Sequence, residues 1–180
     1  MQQAHCQLPY RGNMAPFPVL LPQHLQGVLV HGRSTEIYRT FHNVSNGGNL
    51  SIHGLLLALE KCKWEEGRIP DVVYYQIDGG PENTGNAVLG MMELVIMRGL
   101  TKKIVVTRLP VGHTHEDIDS KFAVIWKRIR NGFVLTPIQY ANAIEQALTT
   151  SKLKCTVHNI FAVPDYTAFI LPYMDNKLSR

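Results

Sequence analysis

Charge is scarce in this chain. Asp, Glu, Lys and Arg make up 18 % of its 180 residues, against roughly 25 % in ordinary soluble domains. That excludes a charge-rich disordered chain and a long surface coiled coil. Long apolar runs are absent as well. The longest, such as Gly54–Leu59 and Leu94–Met97, fall far short of the roughly 20 residues a membrane helix needs, and no basic start leads into an apolar stretch as a signal peptide would. No membrane partner is expected. Cysteine is rare and odd in number: Cys6, Cys62 and Cys155 stand far apart. They form no C-x-x-C pair of the kind used by zinc ribbons or redox motifs, and idle thiols in a reducing, intracellular compartment are the simple reading. Apolar residues, at 45 %, suffice for a real core. The length suits one domain.

The net charge of +4 is modest but unevenly placed. Arg98, Lys102, Lys103, Arg108, Lys121, Lys127, Arg128 and Arg130 face only Glu116, Asp117 and Asp119 within one window, which carries +5 and leaves −1 for the rest. A local excess of this kind suits a polyanion, although a solvated helix face would look the same.

Residues 1–24, with Pro9, Pro16, Pro18 and Pro22, read as an irregular lead-in. Leu25–Val30 and Thr35–His42 flank His31-Gly32-Arg33-Ser34 and predict a hairpin. A helix is expected from about Leu50 to Lys63, with Asn49 or Ser51 as its N-cap. Asp71–Ile77 is an almost unbroken β-branched and aromatic run, expected as a strand buried on both faces. A helix over Val88–Met97 and a strand over Lys103–Leu109 follow. Next comes a helix over His115–Arg130 with Ile118, Phe122, Ile125 and Ile129 on one stripe. Thr136 and Pro137 open a last helix reaching Thr149. The order predicts an α/β domain over 25–150, with a mixed sheet carrying helices on both faces. Residues 151–180 are left as an extension with weak strand signals at Thr156–Val163 and Ala168–Leu171.

Ligands of such sheets sit beyond the carboxyl ends of the strands, which selects two segments. The first is Asp78-Gly79-Gly80-Pro81-Glu82-Asn83. It holds a carboxylate at a strand end beside a glycine exit, although Asp-Gly is also an ordinary turn signal. The second is Val111-Gly112-His113-Thr114-His115-Glu116-Asp117-Ile118-Asp119, with five metal-capable residues in seven positions. The helix dipole and a Thr114/Asp117 capping box account for the first acids, but not for both histidines or Asp119. Asp78 and Asp119 could bind hard divalent cations, Mg²⁺ or Mn²⁺, and a pair of such ions activates phosphodiester chemistry. His113, His115, Glu116, Asp117, Glu82 and Asn83 are then accessory groups, with Glu116 also a candidate for catalysis. Lys102, Lys103, Lys121, Lys127, Arg128 and Arg130 are candidates for phosphate contacts. His113-x-His115-x-Asp117 also resembles the opening of a dinuclear zinc hydrolase motif, except that Ile118 stands where that motif has a histidine.

Val28-Leu29-Val30-His31-Gly32, Asn49-Leu50-Ser51-Ile52, Gln76-Ile77-Asp78 with Glu82-Asn83, and Val111 to Asp119 with Phe122 occur in that order. Together they resemble a eukaryotic family of transposase-like proteins with an RNase H-like core, associated with mobile elements. The resemblance implies an RNase H-like fold acting on DNA in the nucleus. It further implies a triad of acids binding two Mg²⁺ or Mn²⁺ ions, with Asp78 second and Asp119 third. The first acid would belong to a strand ahead of the hairpin. No Asp or Glu precedes Glu36, so the chain is expected to be cut short at its N-terminus. The family commonly has a Lys and a second Asn where this chain has Thr84 and Gly85. The competing expectation is a domesticated or decayed domain that binds DNA or protein without catalysis. A homo-oligomer is compatible with either.

Overall fold

Gln23–Val30 (β1) and Ser34–Phe41 (β2) pair antiparallel in full register, from Gln23 opposite Phe41 to Val30 opposite Ser34. The turn between them needs a positive φ, and Gly32 supplies it at 75°. The computed structural model of the chain describes residues 23–174 apart from 46, 78–82, 84, 109–116, 133 and 135. The described residues fold as a mixed α/β protein in two compact units interleaved in sequence. One comprises Met1–Val44 and His115–Ala162, the other Ser45–Thr114 and Val163–Arg180. This division cuts across the expected 25–150 span.

The second element to join the hairpin comes from far along the chain. Lys154–Ile160 (β5) lies parallel to β2, with Ser34 opposite Lys154 and Thr40 opposite Ile160, giving the order β1-β2-β5. The helix Asp117–Arg130 (α3) presents Phe122, Ile125 and Ile129 to the core, and half-buried Ile118 packs beside them. Pro137–Leu148 (α4) contributes Tyr140, Ile144 and Leu148. Its start is the one the sequence signals. Thr136 Oγ1 accepts from the Gln139 N–H, the Gln139 side chain accepts from the Thr136 N–H, and Pro137 occupies the first turn. Gly27 lets α3 approach β1 closely. A Cβ there would stand 2.8 Å from Ile118 Cδ1 and 3.3 Å from the Phe122 ring.

β2 carries charge inside this unit. Glu36 is fully buried and its Oε2 lies 2.7 Å from His158 Nε2 on β5. Arg39, also buried, donates to Asn159 Oδ1 (2.8 Å) and the Pro137 carbonyl (2.6 Å), and stacks over Phe41. Buried charge persists only where hydrogen bonds satisfy it. These two side chains therefore tie β2 to β5 and to the start of α4.

The other unit is built on Gly48–Glu66 (α1), whose N-cap is Gly47 with no side-chain cap. Asn49 and Ser51, expected as caps, lie inside the helix instead and serve tertiary contacts. Val72–Ile77 (β3), Asn86–Met97 (α2) and Lys103–Arg108 (β4) form a parallel βαβ unit, with Val72 opposite Lys103 and Ile77 opposite Arg108. The expectation that β3 is buried on both faces fails. Val73 and Tyr75 pack on the core of Ile52, Leu55, Val88 and Met91, whereas Val72 and Tyr74 are 40 % and 79 % exposed. A two-stranded sheet has apolar cover on one side only here, so the alternation of the strand returns despite its continuous apolar sequence.

Regular structure continues past Thr150. Besides β5, Tyr166–Ile170 (α5) and the 3₁₀ turn Leu171–Tyr173 follow, so the strand signal at Ala168–Leu171 is overridden. Ile170 enters the core, and Gly90 leaves room for it and for Met174. The five strands thus form a three-stranded mixed sheet and a two-stranded parallel sheet among the described residues, in place of one sheet. Among those residues no helix is long and apolar enough to cross a membrane.

Candidate functional site

The second predicted segment ends in α3, where its geometry can be read. Asp117 and Asp119 occupy the first turn, where the helix dipole favours negative charge. At about 100° per residue, positions two apart point to nearly opposite sides of a helix. The two carboxylates therefore cannot ligate one ion together from this helix. Asp119 is half-buried. Asp117 is exposed, its Oδ2 4.0 Å from His31 Nδ1 at the hairpin turn, a contact that water screens heavily. Ser120 Oγ donates to the Asp117 carbonyl at 2.6 Å and closes the first turn.

The basic residues divide by the same geometry. Lys121 and Arg128, seven apart, share one side of α3 with Asp117. Arg130, eleven residues on, lies on the side of Asp119, while Lys127 stands between the two sides, about 80° from either carboxylate. Arg128 Nη2 donates to Gln146 Oε1 on α4 at 2.9 Å, which fixes its guanidinium without neutralising it. Among the described residues, none of these four cations is in an ion pair. From Ser120 to Asn131 the helix holds no acidic residue. The unit containing α3 has nine basic against five acidic residues, while the other has nine against nine. The whole net charge belongs to the first.

Lys102 and Lys103 belong to the second unit and differ from the α3 set. Lys102 Nζ lies 2.7 Å from Asp71 Oδ2. That hydrogen bond, with the Lys102 charge, holds the Asp71 carboxyl below its ordinary range. Lys102 is thus committed to an ion pair, while Lys103 opens β4 and is exposed.

Of the first predicted segment only Asn83 is described. Its Oδ1 accepts from Ser51 Oγ at 2.6 Å, tying the stretch after β3 to α1. Asp78, Glu82, His113, His115 and Glu116 lie outside the described residues, as do the expected Thr114 cap and the helix start at His115. Among the described residues no three His, Cys, Asp or Glu side chains converge as a metal site would require, so Asp119 stands as a single candidate ligand.

Two polar clusters went unnoticed in the sequence. On α1, Asn49 Oδ1 accepts from the Thr167 N–H (2.8 Å) and hydroxyl (2.7 Å), while its Nδ2 donates to Asp165 Oδ1 (3.0 Å). One turn on, His53 Nδ1 lies 2.9 Å from the Tyr166 hydroxyl. Burial pushes His53 below its usual value and Tyr166 above its own. Asp165 is held low by the Ala168 N–H and then by Asn49. The other cluster is Glu36 with His158. A charged residue inside an apolar strand, visible at Glu36 and Arg39, was the available signal for it.

The fold and the α3 surface define an α/β protein whose net positive charge belongs to one unit. A family model, described as a domain of unknown function (DUF7869), matches residues 18–180. The chain belongs to that DUF7869 family. No curated protein and no solved structure matches it.

Proposed function

We propose that the chain is an RNase H-like domain that acts on DNA in the nucleus. In this reading, polynucleotidyl transfer or strand cleavage depends on Mg²⁺ or Mn²⁺ at Asp78 and Asp119. The observation that carries the proposal is α3 itself. Four cations with no ion pair among the described residues run along a helix whose first turn holds Asp119, on the unit that accounts for the entire net charge. Arg130 shares the side of Asp119 and Lys127 adjoins it, so a phosphate held by Arg130 would lie along the face on which that carboxylate stands. Lys121 and Arg128 would meet the backbone from the other side, Arg128 through a guanidinium pre-set by Gln146. Guanidinium and ammonium groups neutralising phosphates release counterions, which makes such binding strongly salt-dependent. The metals would supply the activated nucleophile. His113, His115 and Glu116 are proposed as accessory groups and Lys103 as a further phosphate contact. Lys102 is left out of this set because Asp71 already holds it.

The test has a binding arm and a cleavage arm. Duplex DNA binding is measured against salt for the natural chain and for Lys127→Glu/Arg130→Glu. The double variant is expected to lower affinity and to reduce the salt slope by about 2, near one unit per lost phosphate contact. Mn²⁺-dependent nicking of supercoiled DNA is then compared with Asp119→Asn and Asp78→Asn. Loss of nicking in both variants with binding retained supports the proposal. Equal nicking by all three removes these carboxylates from the reaction. Salt-dependent binding with no nicking by the natural chain supports the non-catalytic reading.

A further inference from the structure

One surface of α1 carries both a cavity and the side chain that could fill it. Leu56, Leu59 and Trp64, with Ile69, Val95 and Leu100, line an open pocket of about 520 Å³. Trp64 lines it and is 84 % exposed, the most exposed large apolar side chain among the described residues. An indole in water beside an unfilled apolar pocket is the arrangement expected of an interface core, where aromatic anchors seat in desolvated pockets. Trp64 projects into solvent, so it does not fill the pocket that it borders.

The charges on this face are self-complementary. Leu56, Glu60 and Lys63 lie at spacings of four and three along α1, which puts them in one line on its surface. Glu60 and Lys63 also line the pocket and are exposed. If two copies of α1 cross antiparallel about a twofold axis between positions 60 and 63, Glu60 of each copy faces Lys63 of the other. An isologous interface requires this reciprocity, in which residue i meets j and j meets i. Trp64 lies within one turn of the axis, placed to enter the pocket of the second copy. A parallel crossing would instead set Glu60 against Glu60 and Lys63 against Lys63.

We propose that the occupant of this pocket is Trp64 of a second copy of the chain, in a twofold dimer built on antiparallel α1 helices with reciprocal Glu60–Lys63 pairs. The inference is independent of the proposal for DNA, since α1 and α3 belong to different units.

Sedimentation equilibrium on the whole chain, over roughly 1–200 µM, tests it. A monomer–dimer equilibrium is expected, weakened at least tenfold by Trp64→Ala, in keeping with an interface hot spot. Because Trp64 is so exposed, this variant keeps the fold, and an unchanged far-UV spectrum checks that. Glu60→Lys and Lys63→Glu should each weaken the dimer, and the double reversal should restore it. In a Trp126→Phe background, emission from Trp64 should shift to the blue as the dimer forms. A chain that stays monomeric over the whole range overturns the proposal. So does a dimer indifferent to Trp64→Ala, and so does a double reversal that fails to rescue. Binding of 8-anilinonaphthalene-1-sulfonate to a persistent monomer, lost in Trp64→Ala, would assign the pocket to a small apolar ligand and overturn it as well.

Discussion

Replacing Gly27 by Ala tests how tightly α3 packs against β1. The backbone at Gly27 has no positive φ among the described glycines, so alanine itself fits, and its lower chain entropy in the unfolded state favours folding by about 0.4–1 kcal/mol. Against that, the added methyl would stand 2.8 Å from Ile118 Cδ1, 3.2 Å from Ile118 Cγ1 and 3.3 Å from Phe122. Overpacking of this kind costs about 1–3 kcal/mol. The difference is a net loss of about 1–2 kcal/mol, read by urea unfolding followed through far-UV dichroism. The same contact supplies its own control. Ile118→Val deletes Cδ1, the atom nearest the intruding methyl, and alone should cost about 0.5–1.5 kcal/mol. Combined with Gly27→Ala it should relieve the clash, so the double variant is more stable than the sum of the singles by about 1 kcal/mol. Additive effects, or a stabilising Gly27→Ala, would refute the reasoning. Ile118 lies between Asp117 and Asp119, so the same series reports on what fixes the first turn of α3.

Two further outcomes follow from buried polar groups. His53 is held below its ordinary value of 6.5 by burial, so the unfolded chain binds the proton more readily than the folded one. Its contribution is therefore complete above pH 6.5 and is lost as the pH falls through the lowered folded value. Stability measured between pH 7 and pH 5 should decline, and His53→Gln should flatten that part of the profile. Glu36→Gln keeps the shape of a fully buried side chain but removes its charge from the 2.7 Å contact with His158. A loss of about 1.5–3 kcal/mol in chemical denaturation is expected, and an unchanged midpoint would show that the pair contributes nothing.

The legible parts of the sequence were those governed by local rules. The Thr136-Pro137 start of α4, the Gly32 hairpin and the Ile118, Phe122, Ile125, Ile129 stripe follow from capping chemistry, turn conformation and helical period, and all three are present. What escaped depends on distant partners. Asn49 and Ser51 look like caps, because short polar side chains favour helix starts. They are instead used to hold Thr167, Asp165 and Asn83. The continuous apolar run of β3 implied two covered faces, yet only one meets the core. The weak signals past Thr150 could not show that Lys154–Ile160 would find β2, since nothing local to either strand encodes that pairing. For the candidate site, the spacing of Asp117 and Asp119 was visible, but their divergence around α3 emerges only once that helix starts at or before Asp117. The neutralisation of Lys102 by Asp71 joins residues 31 apart and has no sequence signature.

The parallel pairing of β2 with β5 has a consequence for how the chain reaches this state. Glu36 meets His158 across 122 positions and Arg39 meets Asn159 across 120, while in the other unit Asn49 waits for Thr167 across 118. Both units are thus closed by the same late stretch of chain. Contacts of such separation are slow to form, because loop entropy is spent before they give any return. During synthesis the β1–β2 hairpin and α1 would leave the ribosome long before their partners, with one edge of β2 bare and the pocket for Ile170 empty. Until the residues beyond Thr150 arrive, that edge and that apolar surface are what the nascent chain offers to chaperones or to its neighbours.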